Sequence, residues 1–123
     1  MADPNFIVLY VSDPQKSAAF YTDLLGHPVI ESSANFAGVP LKDDMLLGLW
    51  RRPMVEPAAT GASGASEIGL TLGSREAVEA LHKDWTERGV KMAQAPTDMD
   101  FGRTFVALDP DGHRLRVMYP NQV

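Results

Sequence analysis

Apolar and polar positions alternate along this chain with two periods, one of two residues and one of about 3.6. The run FIVLYV at Phe6–Val11 is β-branched and aromatic and predicts a strand. Ile7, Leu9 and Val11 share one face; Phe6, Val8 and Tyr10 share the other. Ser12-Asp13-Pro14 then opens a helix running to about Leu25. Asp13 suits its N-cap, and Pro14 suits the first helical position, where the missing N–H costs nothing. Ala18, Tyr21 and Leu25 form the buried stripe, and Gly26 stops the helix. Short strands follow around 29–33, 35–40 and 45–50, the last preceded by a turn at Lys42-Asp43-Asp44.

The same order then recurs. EIGLTL at 67–72 predicts a strand with Ile68, Leu70 and Leu72 on one face and Glu67, Gly69 and Thr71 on the other. Ser74 caps a second helix, in which Val78, Leu81 and Trp85 lie at i, i+3 and i+7. Gly89 ends it. Strands follow around 90–94, 103–108 and 113–119. The last two are joined by a tight turn at Asp109-Pro110-Asp111-Gly112. Two copies of β-α-β-β-β at an offset of roughly 61 to 68 residues argue against a solenoid. They predict an α+β domain of two βαβββ modules, about 5–50 and 67–120, whose curved sheets enclose a shared pocket.

Helices must cover one face of each sheet. Ile7, Leu9, Val11, Leu47 and Leu49 supply that face in the first module. Ile68, Leu70, Leu72, Leu115 and Val117 supply it in the second. Alternation then turns Phe6, Val8, Tyr10, Gly48, Trp50, Glu67, Gly69, Thr71, Arg114, Arg116 and Met118 to the cavity side. Glycines at 48 and 69 remove side chains there, making room or admitting close backbone approach. Residues 51–66, rich in Pro, Gly, Ala and Ser, read as a flexible linker. A loop from Ala95 to Gly102 is a candidate lid.

Composition narrows the picture. At 123 residues the chain is one domain's length. Its net charge of −5 and lack of any Lys/Arg cluster argue against nucleic acid. No apolar run is long enough to span a membrane, and no signal peptide is visible. Cysteine is absent, which removes disulfides and thiolate chemistry and leaves the cytoplasm as the expected location.

Val11-Ser12-Asp13 with Ser17, Phe20-Tyr21, Leu25-Gly26, Gly102-Arg103 and Asp109-Pro110-Asp111-Gly112 resemble the vicinal oxygen chelate superfamily of glyoxalases, bleomycin resistance proteins and extradiol dioxygenases. The resemblance covers nearly all of 1–123 as one domain and implies paired βαβββ modules, commonly in a homodimer. Its enzymes hold a divalent metal on four strands. The corresponding positions here are Phe6, Gly48 or Trp50, Glu67 and Arg116. Only Glu67 can ligate a metal. Arg116 carries a permanent positive charge, and a catalytic site wants about three protein ligands. The resemblance therefore implies no metal and no cofactor. Longer matches at Leu9-Tyr10-Val11-Ser12, Leu49-Trp50, Ser66-Glu67-Ile68-Gly69, 101–105 and 109–113 with Arg116-Val117 resemble phenazine resistance proteins. Those bind planar tricyclic aromatics without a metal.

Trp50 is the leading candidate, a flat indole suited to stacking. Its alternative is a core or dimer-interface role. Trp85, on a helix stripe, reads as core. Glu67 and Arg116 either bind polar ligand edges or form a salt bridge where relatives hold a metal. Arg103 could meet a ligand carboxylate or stand in solvent. Tyr10, Phe6, Phe105 and Met118 furnish apolar walls. His27, His82 and His113 read as surface or turn residues. The expected function is metal-independent sequestration of a planar aromatic small molecule such as an antibiotic, by a homodimer. The alternatives are a metal-dependent glyoxalase or dioxygenase-type enzyme, and an interaction module with a filled cavity.

Overall fold

The computed structural model describes residues 2–121. The chain forms two compact units, one ending at Ala62 and the other beginning at Ser63. In the first unit, β1 (Phe6–Val11) leads into α1 (Pro14–Leu25), then β2 (Glu31–Ser32), β3 (Phe36–Pro40) and β4 (Leu46–Arg51). In the second, β5 (Glu67–Thr71) precedes α2 (Arg75–Glu87), β6 (Lys91–Met99), β7 (Gly102–Leu108) and β8 (Arg114–Pro120). Each unit has one four-stranded sheet. The orders are β1-β4-β3-β2 and β5-β8-β7-β6, with the first strand parallel to the last and the remaining pairs antiparallel. The α+β fold and the βαβββ duplication are thus as the sequence predicts.

The helix ends follow the expected local chemistry. The Asp13 carboxylate accepts from the backbone N–H groups of Gln15 and Lys16 at 3.1 and 3.2 Å. Gly26 closes α1 in the left-handed region at φ 75°, where glycine carries no Cβ penalty. Ser74 caps α2 by accepting from Ala77 N–H at 3.0 Å.

Each helix covers one sheet face. Leu9, Val11, Ala18, Tyr21, Ala37, Val39, Leu47 and Leu49 are buried in the first unit. Val78, Trp85, Phe105, Ala107, Leu115 and Val117 are buried in the second. Of the expected inner face, Ile7 is 39% exposed at the start of the edge strand β1, and Ile68, Leu70 and Leu72 on and just after the edge strand β5 are only partly buried.

Two expectations change. Residues 95–99 are not a loop, because β6 continues to Met99, carried past Pro96 by irregularities in its pairing with β7. Within 51–66, Arg51 still belongs to β4, Arg52–Met54 form a 3₁₀ turn, Val55 is buried, and the Arg52 guanidinium donates to the Gly61 carbonyl. At the other end the Ser63 hydroxyl lies 3.3 Å from His113 Nε2.

Candidate functional site

Strand register decides which side chains each open face presents. In the first unit Tyr10 stands beside Trp50, and Trp50 beside Phe36, across β1, β4 and β3. Tyr10 and Trp50 meet edge to face, with ring centroids 6.3 Å apart and planes at 78°. Four residues along, Phe6 stands beside Leu46, and its ring approaches that of Phe36 at 6.5 Å. Tyr10, Phe36 and Trp50 are partly buried, and Phe6 is 48% exposed. This face is an aromatic surface open on one side, suited to flat apolar rings.

The open face of the second unit centres on Arg116. Its Nε donates to Glu67 Oε1 at 2.7 Å and its Nη2 to Glu67 Oε2 at 2.9 Å, a bidentate pair. Its Nη1 reaches the Thr104 hydroxyl at 3.2 Å and Gln94 Oε1 at 3.4 Å. The guanidinium carbon lies 5.6 Å from the Phe101 ring centroid. Thr104 donates in turn to the Val117 carbonyl at 2.8 Å. Arg116 holds the Glu67 carboxyl below the usual carboxylate range, chiefly through this hydrogen bonding, and partial burial opposes the shift. Glu67 raises Arg116 in return. Gly69, cross-strand from Arg116, faces open space: nothing lies within 4 Å of where its Cβ would stand. Met118 shares this face, opposite Thr104 and Thr71.

Two expected site residues lie elsewhere. Phe105 pairs with Val117 on the helix side of the sheet. It is fully buried, with Trp85 edge-on at 5.6 Å and His82 at 5.2 Å. It belongs to the core, and His82, expected at the surface, packs on it. Arg103 has the same parity. It ion-pairs with Glu79 of α2 at 2.6 Å and reaches Asp98, itself held by Arg75, at 3.5 Å. Its guanidinium ties β7 to α2 instead of lying on the open face of the sheet. The sequence reading missed Phe36, Thr104, Gln94 and Phe101. Parity counted along β3 from its pairing with β4 would have found Phe36. Thr104 was hidden because β7 is buried on both faces, so its sequence shows no alternation.

The positions at which the superfamily's enzymes hold a metal do not fit one here. Phe6 and Gly48 offer no donor atom. Both oxygens of Glu67 are taken by a cation that would repel a second one. Among the described residues no three His, Cys, Asp or Glu side chains gather at metal-binding distance.

Duplicated βαβββ units with this site define a class, and the chain belongs to it: residues 4–117 match the Glyoxalase/Bleomycin resistance protein/Dioxygenase superfamily. The chain is 33% identical over 118 residues to the phenazine antibiotic resistance protein EhpR of Enterobacter agglomerans, covering 93% of this chain and 89% of that one. It is thus a homologue of an antibiotic resistance protein. The solution NMR structure of protein ATC0852 from Agrobacterium tumefaciens matches with a TM-score of 0.89 at 42% identity, over 99% of this chain and all of that one. A glyoxalase-related enzyme from Fulvimarina pelagi matches with a TM-score of 0.83 over 97% of this chain and 88% of that one. At 17% identity that likeness is one of fold.

Proposed function

We propose that this protein binds a planar aromatic small molecule of the antibiotic type, without a metal, and sequesters it without chemical change. The observation that carries this reading is Trp50. Its indole stands partly exposed between Tyr10 and Phe36 on the open face of the first sheet. Stacking on such a ring contributes about 0.5–1.5 kcal/mol beyond the area buried. Identity to a phenazine antibiotic resistance protein supports the ligand class. The lack of a fitting donor set supports metal independence. Phe6, Tyr10 and Trp50 supply the ring contacts. The open face of the second unit, taken by itself, offers the polar pair Glu67 and Arg116 beside Met118 as ligand-contacting groups.

A homodimer belongs to this reading, by analogy with the superfamily. Phe6, Ile30 and Phe101, at 48%, 63% and 40% exposure, are apolar surface such an assembly could cover. So does a cytoplasmic location, supported by the absence of cysteine. No helix among the described residues is long and apolar enough to cross a membrane.

The test is a fluorescence titration with phenazine. Trp50 quenches on binding, while Trp85, fully buried on the inner face of α2, serves as the internal reference. The expected result is saturable quenching in the wild type and, because Trp50→Ala lacks the reporting indole, a ligand-bound fraction in native mass spectrometry that shows at least tenfold weaker affinity in that variant. Native mass spectrometry of the same sample reads the dimer and its bound ligand. A panel of planar dyes that leaves Trp50 unquenched, with Trp50→Ala indistinguishable from wild type, sinks the reading.

A further inference from the structure

The open face of the first sheet is a grid of three rows. Tyr10, Trp50 and Phe36 form one; Val8, Gly48 and Gly38 the next; Phe6, Leu46 and Pro40 the third. The middle row therefore contains two neighbouring glycines, a trough of bare backbone between two rows of larger side chains. At Gly48 the trough is filled from outside. A Cβ there would stand 2.8 Å from Phe6 Cε1, closer than real Cβ contacts allow, and 3.0 Å from Phe36 Cζ, tighter than nearly all of them. The two rings, one from each flanking row, lean together over the same glycine, with planes tilted by 59°. At Gly38 the nearest atom is Leu46 Cδ1 at 3.4 Å, an ordinary contact.

We propose that Phe6 and Phe36 form an aromatic plug, seated on Gly48, that limits the breadth of ligand the Trp50 surface accepts. The inference rests on the aromatic-binding reading above. The row Tyr10–Trp50–Phe36 crosses three strands, so it spans two inter-strand spacings, about 9–10 Å. That length suits three linearly fused rings lying across Trp50. A ring fused at an angle extends along the strands instead, toward the middle row, and meets the plug. Gly48 lets both rings settle against the backbone. Phe6 is nearly half exposed, so shortening it removes little of the unit's buried core.

The experiment compares the affinities of phenazine, a linear tricycle, and benzo[a]phenazine, an angular tetracycle, by tryptophan quenching. Wild type is expected to favour phenazine at least tenfold. Phe6→Ala empties one side of the trough and should bring the ratio to unity or reverse it. Phe6→Leu should give an intermediate ratio. Phe36→Leu, which removes the second ring, should shift it in the same direction as Phe6→Ala. Gly48→Ala lifts both rings off the sheet and should weaken phenazine itself. Circular dichroism and thermal melts of each variant separate ligand effects from misfolding. A ratio unchanged in both Phe6→Ala and Phe6→Leu, while native mass spectrometry still shows phenazine binding at least tenfold weaker in Trp50→Ala, overturns the plug and leaves the aromatic-binding reading standing. If neither compound binds the wild type, both fail together.

Discussion

Arg116 shows most directly what a single residue can announce. A permanent cation on the open-face parity of a strand needs a counter-charge, and the carboxylate available on the neighbouring strand is Glu67. The pair forms, in bidentate geometry, with the guanidinium side chain 21% and the carboxylate side chain 33% exposed. Solvent screening at that exposure keeps its contribution small, about 0.5–1 kcal/mol. Because Glu67 titrates below its unfolded value, this stability is fully present above the unfolded pKa of about 4.5. It is lost as pH falls through the lower folded value. Glu67→Gln should therefore be less stable than wild type by up to about 1 kcal/mol at pH 7 in urea unfolding. The deficit should shrink as pH falls below the ordinary glutamate range and reach zero only below the lowered folded-state value. A difference that persists unchanged in acid would mean that packing, not charge, is what the substitution removes. Trp85 was equally legible, since its place at i+7 from Val78 puts it on the buried stripe. Phe105 was not, because a large apolar residue on a doubly buried strand satisfies either face.

At the scale of elements, capping and turn chemistry were readable because they act over three or four residues. The β3–β4 connection is an example. Asp43 and Asp44 both take positive φ, 56° and 64°, and the Leu41 N–H donates to the Met45 carbonyl at 2.7 Å. Two successive residues in that region suit Asn-Gly far better than Asp-Asp. The double substitution Asp43→Asn with Asp44→Gly should stabilise the protein by about 1 kcal/mol, read as a higher urea midpoint at unchanged slope. No gain, or a loss, would show that the aspartates make contacts worth more than the strain. The length of β6 was not readable. Pro96 argues against a strand interior, and only pairing with β7, with register shifts on either side of Gln94, carries the strand through it.

For the whole molecule, the duplication is the strongest feature of the sequence. Two weak helix and strand patterns at a common offset support each other, and a one-residue slip in either copy would break the match. The connection between the copies is less uniform than its composition suggests. Val55 is buried and Ser63 lies against His113, whereas most of 56–62 is exposed. Limited proteolysis with elastase, which cuts after small residues, should nick first within 57–62 and give two fragments of about half length each. Early cleavage within β6 or the β7–β8 turn would contradict this.

The sequence by itself determined the two helices, the alternation that divides each opening and closing strand into an inner and an open face, and the charge at position 116. These depend on near neighbours and on period, which a chain carries without its fold. Only the tertiary structure decided the parity of β7, the exclusion of Phe105 and Arg103 from the open face, and the gathering of Phe6 and Phe36 over Gly48. Those depend on which strands become neighbours and in what register. In the first unit, β1 and β3 lie on either side of β4, which joins residues about thirty positions apart, and no local pattern encodes that distance.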